Sequence, residues 1–445
     1  MSRLVPRPVA TALLSAVFVL AVLRFLAMLV GAVHTTHGDF FATLPGPYAE
    51  RLNPSLWDSP DLVGGTWRHM HVYGYGPVMY LTLYPMVFLD SYRQIALALL
   101  PVYTAAIVGT GYLLWRLCQA VIPDRDATPG PWLQIMLVGS SLFLFTPLVI
   151  AFVQREFEVV QLLVFAAATL CVAKGRRLLA AGLLGYIVLF KYWPVGMLGY
   201  FILRRQWKAS VVFIATIAAV LLLANAVFDL DYFPGQVAGV NSKFGFMTAG
   251  EPFCVPIGIN QTHANLRAGV CAIVNGHQRL AVAGYCGLIL AASAAFLLIF
   301  AALERRRSSM NEAQDRWRRT LELSFFIVAG PTFAHGHYYY LSVLIIPLTI
   351  LLYKTGGIAR EIEPVKFSLS VSAYLLLAAF VLPFSVSSRL LGRSALDLYN
   401  NHGLYTYGVV LLVGVLCWEY KDLLKTSASG QWPEATRQGA AVPLT

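Results

Sequence analysis

The sequence predicts an all-α protein, a polytopic bundle of membrane helices, and three observations carry that expectation. Of 445 residues, 58% are hydrophobic and 12% charged, against roughly 45–50% and about 25% in an ordinary soluble domain. Apolar stretches of bilayer-crossing length recur along almost the whole chain. The 33 basic residues stand in short clusters between those stretches and form no continuous stripe, so the formal charge of +11 reads as a topology signal and not as a nucleic-acid footprint. Soluble, disordered, collagen-like and disulfide-scaffold classes are excluded by the same composition.

The first stretch, Val9 to Val33, follows Arg3 and Arg7 and exceeds the roughly 7–15 residues of a signal-peptide core. It is expected to be a retained helix. Further segments are expected at about 95–116, 132–152, 158–173, 178–190, 193–203, 208–228, 278–302, 320–334, 338–353, 367–386 and 404–420. The two around Pro194 fall short of the roughly 20 residues of a full span. They read as half-helices meeting at a break, which is tolerated where backbone lines a cavity.

The segment Pro77 to Leu89 decides the orientation of everything after it, and charge arbitrates. If it lies at the membrane surface, the 33 Lys and Arg residues divide 22 to 10 between the cytoplasmic and outer sides, with Arg24 inside the first helix. If it crosses, the clusters Lys174/Arg176/Arg177, Arg204/Arg205/Lys208 and Arg305 to Arg319 all face outward, against the positive-inside rule. An interfacial helix is therefore expected, with about twelve membrane segments, both termini cytoplasmic, and large outer loops at residues 34–94 and 229–277. One membrane domain is expected over residues 1–425, followed by a disordered cytoplasmic tail over residues 426–445.

With this topology, nearly all polar residues that lack an obvious structural reason fall on the outer face. Asp39, in the run His34 to Phe40, is a carboxylate near the membrane surface that can accept a proton from a sugar hydroxyl; a Gly-Asp turn is the structural alternative. Glu156 and Glu158 are two apart, which on a helix separates them by about 200°. That disfavours a shared metal site and favours a structural or acceptor-positioning role, with Arg155 able to pair with either. Lys191 beside Tyr192-Trp193-Pro194 suits a phosphate partner or snorkelling to headgroups. His335 and His337 after Pro331 can donate to a phosphate or shuttle a proton, or belong to an aromatic belt with the tyrosines that follow.

Asn260, Gln261, His263 and Arg267 share one polar loop segment, whose Asn260-Gln261-Thr262 also matches a glycosylation sequon. Tyr73 to Pro77 reads as a tight turn containing Tyr75. Arg24 lies roughly 22 Å of helix from Asp39 and is expected in a structural pair or a lipid contact. None of the six cysteines has metal-ligand spacing. Cys254 and Cys271 alone share a polar loop, where a disulfide forms if the loop faces an oxidising compartment; two unpaired thiols are the alternative.

Taken in order, Asp39 after the first span, Tyr73 to Pro77, Arg155 to Glu158, Phe190 to Pro194, Asn260 to Thr262 and Pro331 to Tyr338 resemble the polytopic glycosyltransferases of the GT-C superfamily, specifically glycosyltransferase family 87. The resemblance covers roughly residues 9 to 420. The chain departs from the family pattern at Tyr75-Gly76-Pro77, where Tyr-Pro-Pro is common. It departs again at Arg155 to Glu158, where a Gly-Gln-x-Asn type junction is usual, and at Gly330-Pro331, where Ser-Pro is usual. Spacing from Pro331 leaves both His335 and His337 as candidates, with His337 preferred because a tyrosine follows it directly.

The resemblance implies transfer of a sugar, mannose or a similar residue such as arabinofuranose, from a polyprenyl-phosphate carrier to a hydroxyl of a lipid or glycan acceptor. The reaction belongs to cell-envelope biosynthesis on the extracytoplasmic face of the plasma membrane. Asp39 would be the general base, and Lys191, Arg267, His263 and a late histidine would hold the departing phosphate. Glu156, Glu158, Arg155, Asn260, Gln261 and Tyr75 would be acceptor-side or structural polar groups. A phosphate leaving group surrounded by cations requires no metal, and no other cofactor is expected. The prenyl chain would lie between helices among the membrane lipids.

Two rival readings are a transporter or flippase of a lipid-linked sugar and a membrane scaffold with large outer loops. The first would gather its polar residues near the bilayer midplane, whereas here they gather on one face and the sequence has no two-half symmetry. The second would leave Asp39 and Lys191 without a role.

Overall fold

A computed structural model describes residues 7–34, 89, 92–122, 131–153, 156–190, 193–228, 254, 266–305, 307–333, 338–358 and 404–429. Regular structure among them is helical throughout, with no strand. Three stretches, Thr11–Val33, Ala96–Val121 and Gln278–Arg305, are long and apolar enough to cross a membrane by length and composition. They belong to α1 (Arg7–His34), α2 (Tyr92–Val121) and α10 (Gln278–Arg305). Large apolar side chains such as Leu20 and Val30 on α1 and Leu290 and Leu298 on α10 are exposed, as lipid-facing surfaces require. The surface segment at 77–88 and the span at 367–386 lie outside the described residues.

The stretch expected as one span at 132–152 is two helices, α3 (Pro131–Leu144) and α4 (Thr146–Val153), bent by 64° at Phe145. Ending a helix inside a bundle leaves its last carbonyls without intrahelical partners. Arg24 of α1 fills that need: it donates to the Leu144 carbonyl at 2.8 Å and to Thr146 Oγ1 at 3.0 Å. Phe25 stacks on Phe143 beside it, centroids 4.5 Å apart. The charge inside the first span is thus part of a helix break.

A series of short helices follows. These are α5 (Glu158–Ala173), α6 (Arg177–Val188), a 3-10 turn Trp193–Gly196 leading into α7 (Met197–Leu203), and α8 (Trp207–Phe228). The half-helices expected around Pro194 are α6 and the Trp193–Leu203 pair. α5 packs between α2 and α6, and α6 packs on α8. The last contact is backbone-close, since a Cβ on Gly185 would stand 2.5 Å from the Phe213 carbonyl oxygen; small residues at such crossings are how membrane helices approach.

The remaining described elements are α9 (Leu266–Ile273), α10, α11 (Glu312–Phe333), a 3-10 segment Tyr338–Leu344 running into α12 (Ile345–Ile358), and α13 (Leu404–Ser429). α9 is a helix within the outer loop expected at 229–277. α13 continues past the expected tail boundary at 426, because Leu416, Tyr420, Leu423 and Ser427 keep a buried stripe at helical spacing. Residues 430–445 lie outside the described residues.

One apolar core joins α1 to α8 with α10 to α13, and a satellite cluster holds Cys254, Val270, Cys271, Ala281 and Tyr285. Because α6 and α11 run opposite to α5, α7 and α10, their ends sort into two groups. One collects the basic turns: Arg319 Nη1 lies 3.0 Å from where a Cβ on Gly175 would sit, and Arg204 pairs with Glu304 and Glu322. The other collects the start of α5, the α6 to α7 break and the end of α11.

Candidate functional site

Three of the singled-out segments meet at this second, junction end. Phe157, between the two glutamates, lies 5.8 Å from the ring of Phe190 and 6.3 Å from that of Tyr103. Phe165, two turns into α5, stacks on Trp193 at 5.3 Å and 11°. Trp193 in turn abuts Gly330: a Cβ there would stand 2.4 Å from Trp193 Cε3 and Cζ3. Gly330 therefore makes room for the indole. The segment Tyr338–Leu344 packs against α4, α5 and α11 at the same place.

Glu156 and Glu158 are 2% and 1% exposed. Glu158 opens α5, where a carboxylate complements the helix dipole. The Glu156 backbone N–H donates to the Ala151 carbonyl at 2.7 Å and so ties the junction to the end of α4. Phe157 has φ −64° and ψ −13°, helical and not extended, so the two carboxylates leave the chain in different directions. Among the described residues no three His, Cys, Asp or Glu side chains come together. Carboxylates this deep are costly in an apolar bundle and mark a functional region by default. Two further buried polar atoms stand close by, Gln161 Nε2 and Trp193 Nε1, neither with a hydrogen-bond partner. An unsatisfied buried donor costs about 1–3 kcal/mol.

The loop cysteines are joined. Cys254 and Cys271 form a disulfide with Cα atoms 5.6 Å apart. Gln278, the first residue of α10, clamps the same place, accepting from the Cys254 N–H at 2.7 Å and donating to the Cys254 carbonyl at 2.9 Å. Arg267, in the first turn of α9, is 9% exposed and lies within electrostatic reach of Tyr285. α9 packs against the junction-end half of α10 through Val270, Ala281 and Tyr285, with further contacts to α11 and α13. Of the proposed phosphate-binding residues, Arg267 is thus a buried cation at the junction end. Asp39, Tyr75, Arg155, Lys191, Asn260, Gln261, His263, His335 and His337 lie outside the described residues.

The opposite end holds a feature that the sequence reading passed over. Arg204 Nε donates to Glu322 Oε2 at 2.8 Å, and its guanidinium also pairs with Glu304 and lies 3.7 Å above the ring of Phe300. Arg318 bonds Glu322 at 3.0 Å and Asp315 at 2.6 Å. Glu322 and Arg318 are 0% and 1% exposed. Partial burial alone would raise the Asp315 carboxyl, but the Arg318 hydrogen bond and the charges of Arg318 and Arg319 outweigh it and hold it below the usual carboxylate range. The i,i+4 spacing of Arg318 and Glu322 was the available sequence signal. Topology alone had accounted for these arginines.

Against known proteins, a search of curated sequences finds no match. The family model of glycosyltransferase family 87 matches residues 73–315, a stretch that covers more than half of the chain and contains α2 to α10, the buried glutamates, Trp193, Arg204 and the disulfide loop. With apolar helices of membrane-crossing length and this match in hand, the chain belongs to glycosyltransferase family 87 and is a membrane glycosyltransferase.

Proposed function

We propose that the protein transfers a sugar, mannose or a similar residue, from a polyprenyl-phosphate carrier to a hydroxyl of a lipid or glycan acceptor on the extracytoplasmic face of the plasma membrane. The observation that carries this reading is the convergence of the α5 start, the Phe190 to Trp193 break and the α11 end at one end of the bundle, away from the basic turns. Two facts support the sidedness. The basic turns share the other end, as the positive-inside rule asks of a cytoplasmic face. The disulfide beside α10 suits an oxidising compartment.

In the proposed reaction the acceptor oxygen attacks the anomeric carbon as Asp39 takes its proton, and the bond from that carbon to the phosphate oxygen breaks. The polyprenyl phosphate leaves with one more negative charge, which Arg267, Lys191, His263 and a late histidine, His337 or His335, stabilise. Glu156 and Glu158, with Arg155, Asn260, Gln261 and Tyr75, orient the acceptor or the segments around it. No metal is required, because the leaving group is already a stable phosphate monoester.

The test is an Asp39→Asn variant in purified, folded form, assayed with a labelled polyprenyl-phosphate mannose. Loss of general-base catalysis is worth about 10²–10⁴-fold, so transfer should fall by at least about 100-fold. Undiminished transfer would remove Asp39 as the base. Cysteine labelling of residues 229–277 from outside intact cells tests the sidedness, and labelling only from the cytoplasmic side would overturn it.

A further inference from the structure

Several amide and indole groups of this bundle have partners close at hand. Trp115 Nε1 and Gln119 Nε2 both donate to Gln134 Oε1, at 2.9 and 3.3 Å, and the Gln278 amide is paired on both sides with Cys254. Gln161 and Trp193 are treated differently. Gln161 is 1% exposed, and its Nε2 has no acceptor; Trp193 Nε1 is likewise buried and unpaired. An apolar side chain of similar shape would fill either place without leaving a buried donor unmet, so each calls for an explanation beyond packing.

The two donors are neighbours around one ring. Gln161 stands one turn before Phe165 on the same face of α5, and Phe165 stacks on Trp193. Phe165 lies against the Trp193 ring and Gly330 against its benzo edge, and neither neighbour pairs its N–H. Glu158 lies three residues before Gln161 on that face, and side chains on a helix lean toward its N-terminus. Glu158, Gln161 and Phe165 therefore form a row leading in from the junction end.

Neutral N–H donors beside a carboxylate match a polyhydroxyl ligand better than a phosphate. Hydroxyl and ring oxygens accept from the amide and indole, and a hydroxyl donates to the carboxylate. We infer that Gln161 and Trp193 are specificity-determining residues that read the hydroxyl pattern of the transferred sugar. This inference rests on the sugar transfer proposed above. Both atoms are covered, so the sugar reaches them when the packing between Phe165 and Trp193 opens, a conformational step of the kind enzymes make around a substrate.

The test uses the full-length protein in detergent, with Gln161→Met and Trp193→Phe, which keep bulk and remove the donor. Donors are polyprenyl-phosphate mannose, its C2 epimer polyprenyl-phosphate glucose, and polyprenyl-phosphate arabinofuranose. The expected result is an unchanged or higher Tm, with a roughly tenfold rise in KM for the preferred donor per lost hydrogen bond and a similar loss of preference among the three. A lower Tm with KM and preference unchanged would mean a structural role and overturn the inference, as would unchanged KM and preference at unchanged Tm, while the proposed function stands. Wild-type protein that transfers from none of the three would overturn the proposed function, and this inference with it.

Discussion

Buried polar groups sit at both ends of the bundle, and each end keeps some polar atoms without a partner, Gln206 Oε1 and Arg316 Nε at the basic end and Gln161 Nε2 and Trp193 Nε1 at the junction end. The basic end also carries a network of paired charges. At the basic end, Arg204 and Arg318 meet Glu322, Glu304 and Asp315 in a connected network, which fastens the end of α7 to α10 and α11. At the junction end, Glu156 and Glu158 are as deeply buried as Glu322, yet Gln161 and Trp193 beside them keep unpaired donors. Opposed charges that satisfy one another hold helices in place, and the two unmatched donors beside Glu158 are the ones inferred above to meet the sugar. The same antiparallel pair, α7 with its leading turn and α11, joins the two ends: Arg204 meets Glu322 at one, and Trp193 meets Gly330 at the other.

The largest effect should come from breaking the network on one side only. Glu322→Leu removes the carboxylate that Arg204 and Arg318 share and leaves them Glu304 and Asp315, and removing one partner of a buried pair costs about 3–5 kcal/mol. Thermal unfolding in detergent should show a large fall in Tm for this variant. A triple change to Glu322→Leu with Arg204→Met and Arg318→Met should recover most of it. Equal losses in the single and triple variants would show that the network is not the fastening.

Next in size is the disulfide. A bridge closing a loop of 17 residues contributes about 3 kcal/mol in the chain-entropy account. Reduction, or Cys254→Ser with Cys271→Ser, should expose α9 to hydrogen exchange and proteolysis while leaving the Arg204 region protected. Uniform loosening of both ends would contradict the separation drawn between them.

Gly330→Ala should cost about 1–3 kcal/mol by overpacking, because the added methyl would meet the Trp193 ring. The cost should vanish in a Trp193→Ala background, and a cost that persists there would place its origin elsewhere.

The smallest effect is one of pH. The Asp315 carboxyl is held below its usual range, so its contribution is complete above the unfolded value near 3.9 and is lost as pH falls through the lower folded value. Stability should be flat above about pH 4 on this account and decline below it, less steeply in Asp315→Asn. Identical acid profiles for the two proteins would remove Asp315 from the network.

Much of this arrangement was legible in the residues. Composition alone called for a helical membrane protein, and Pro194 between two short apolar runs marked the break that Trp193 now occupies. The shared loop of Cys254 and Cys271 marked a possible bridge. The bend at Phe145 was not legible: the 21-residue, mostly apolar stretch at 132–152 reads as one span, since hydropathy carries length and not direction. Arg204 and Glu304 are 100 positions apart, and no local spacing joins them. Glu156 and Glu158 drew notice because carboxylates between apolar helices are rare, whereas Gln161 and Trp193 look ordinary until their partners are sought. The continuation of α13 to Ser429 was hidden by Lys421, Asp422 and Lys425, exposed charges on a helix whose other face stays buried.

The most direct measurement follows both halves of a doubly labelled donor, polyprenyl phosphate in one isotope and mannose in another, on wild-type protein reconstituted in vesicles with an acceptor lipid fraction. The account predicts free polyprenyl phosphate appearing in equal amount to mannosylated acceptor, on the side opposite the basic end. Mannose that crosses the bilayer still joined to its carrier, with no polyprenyl phosphate released, would contradict it.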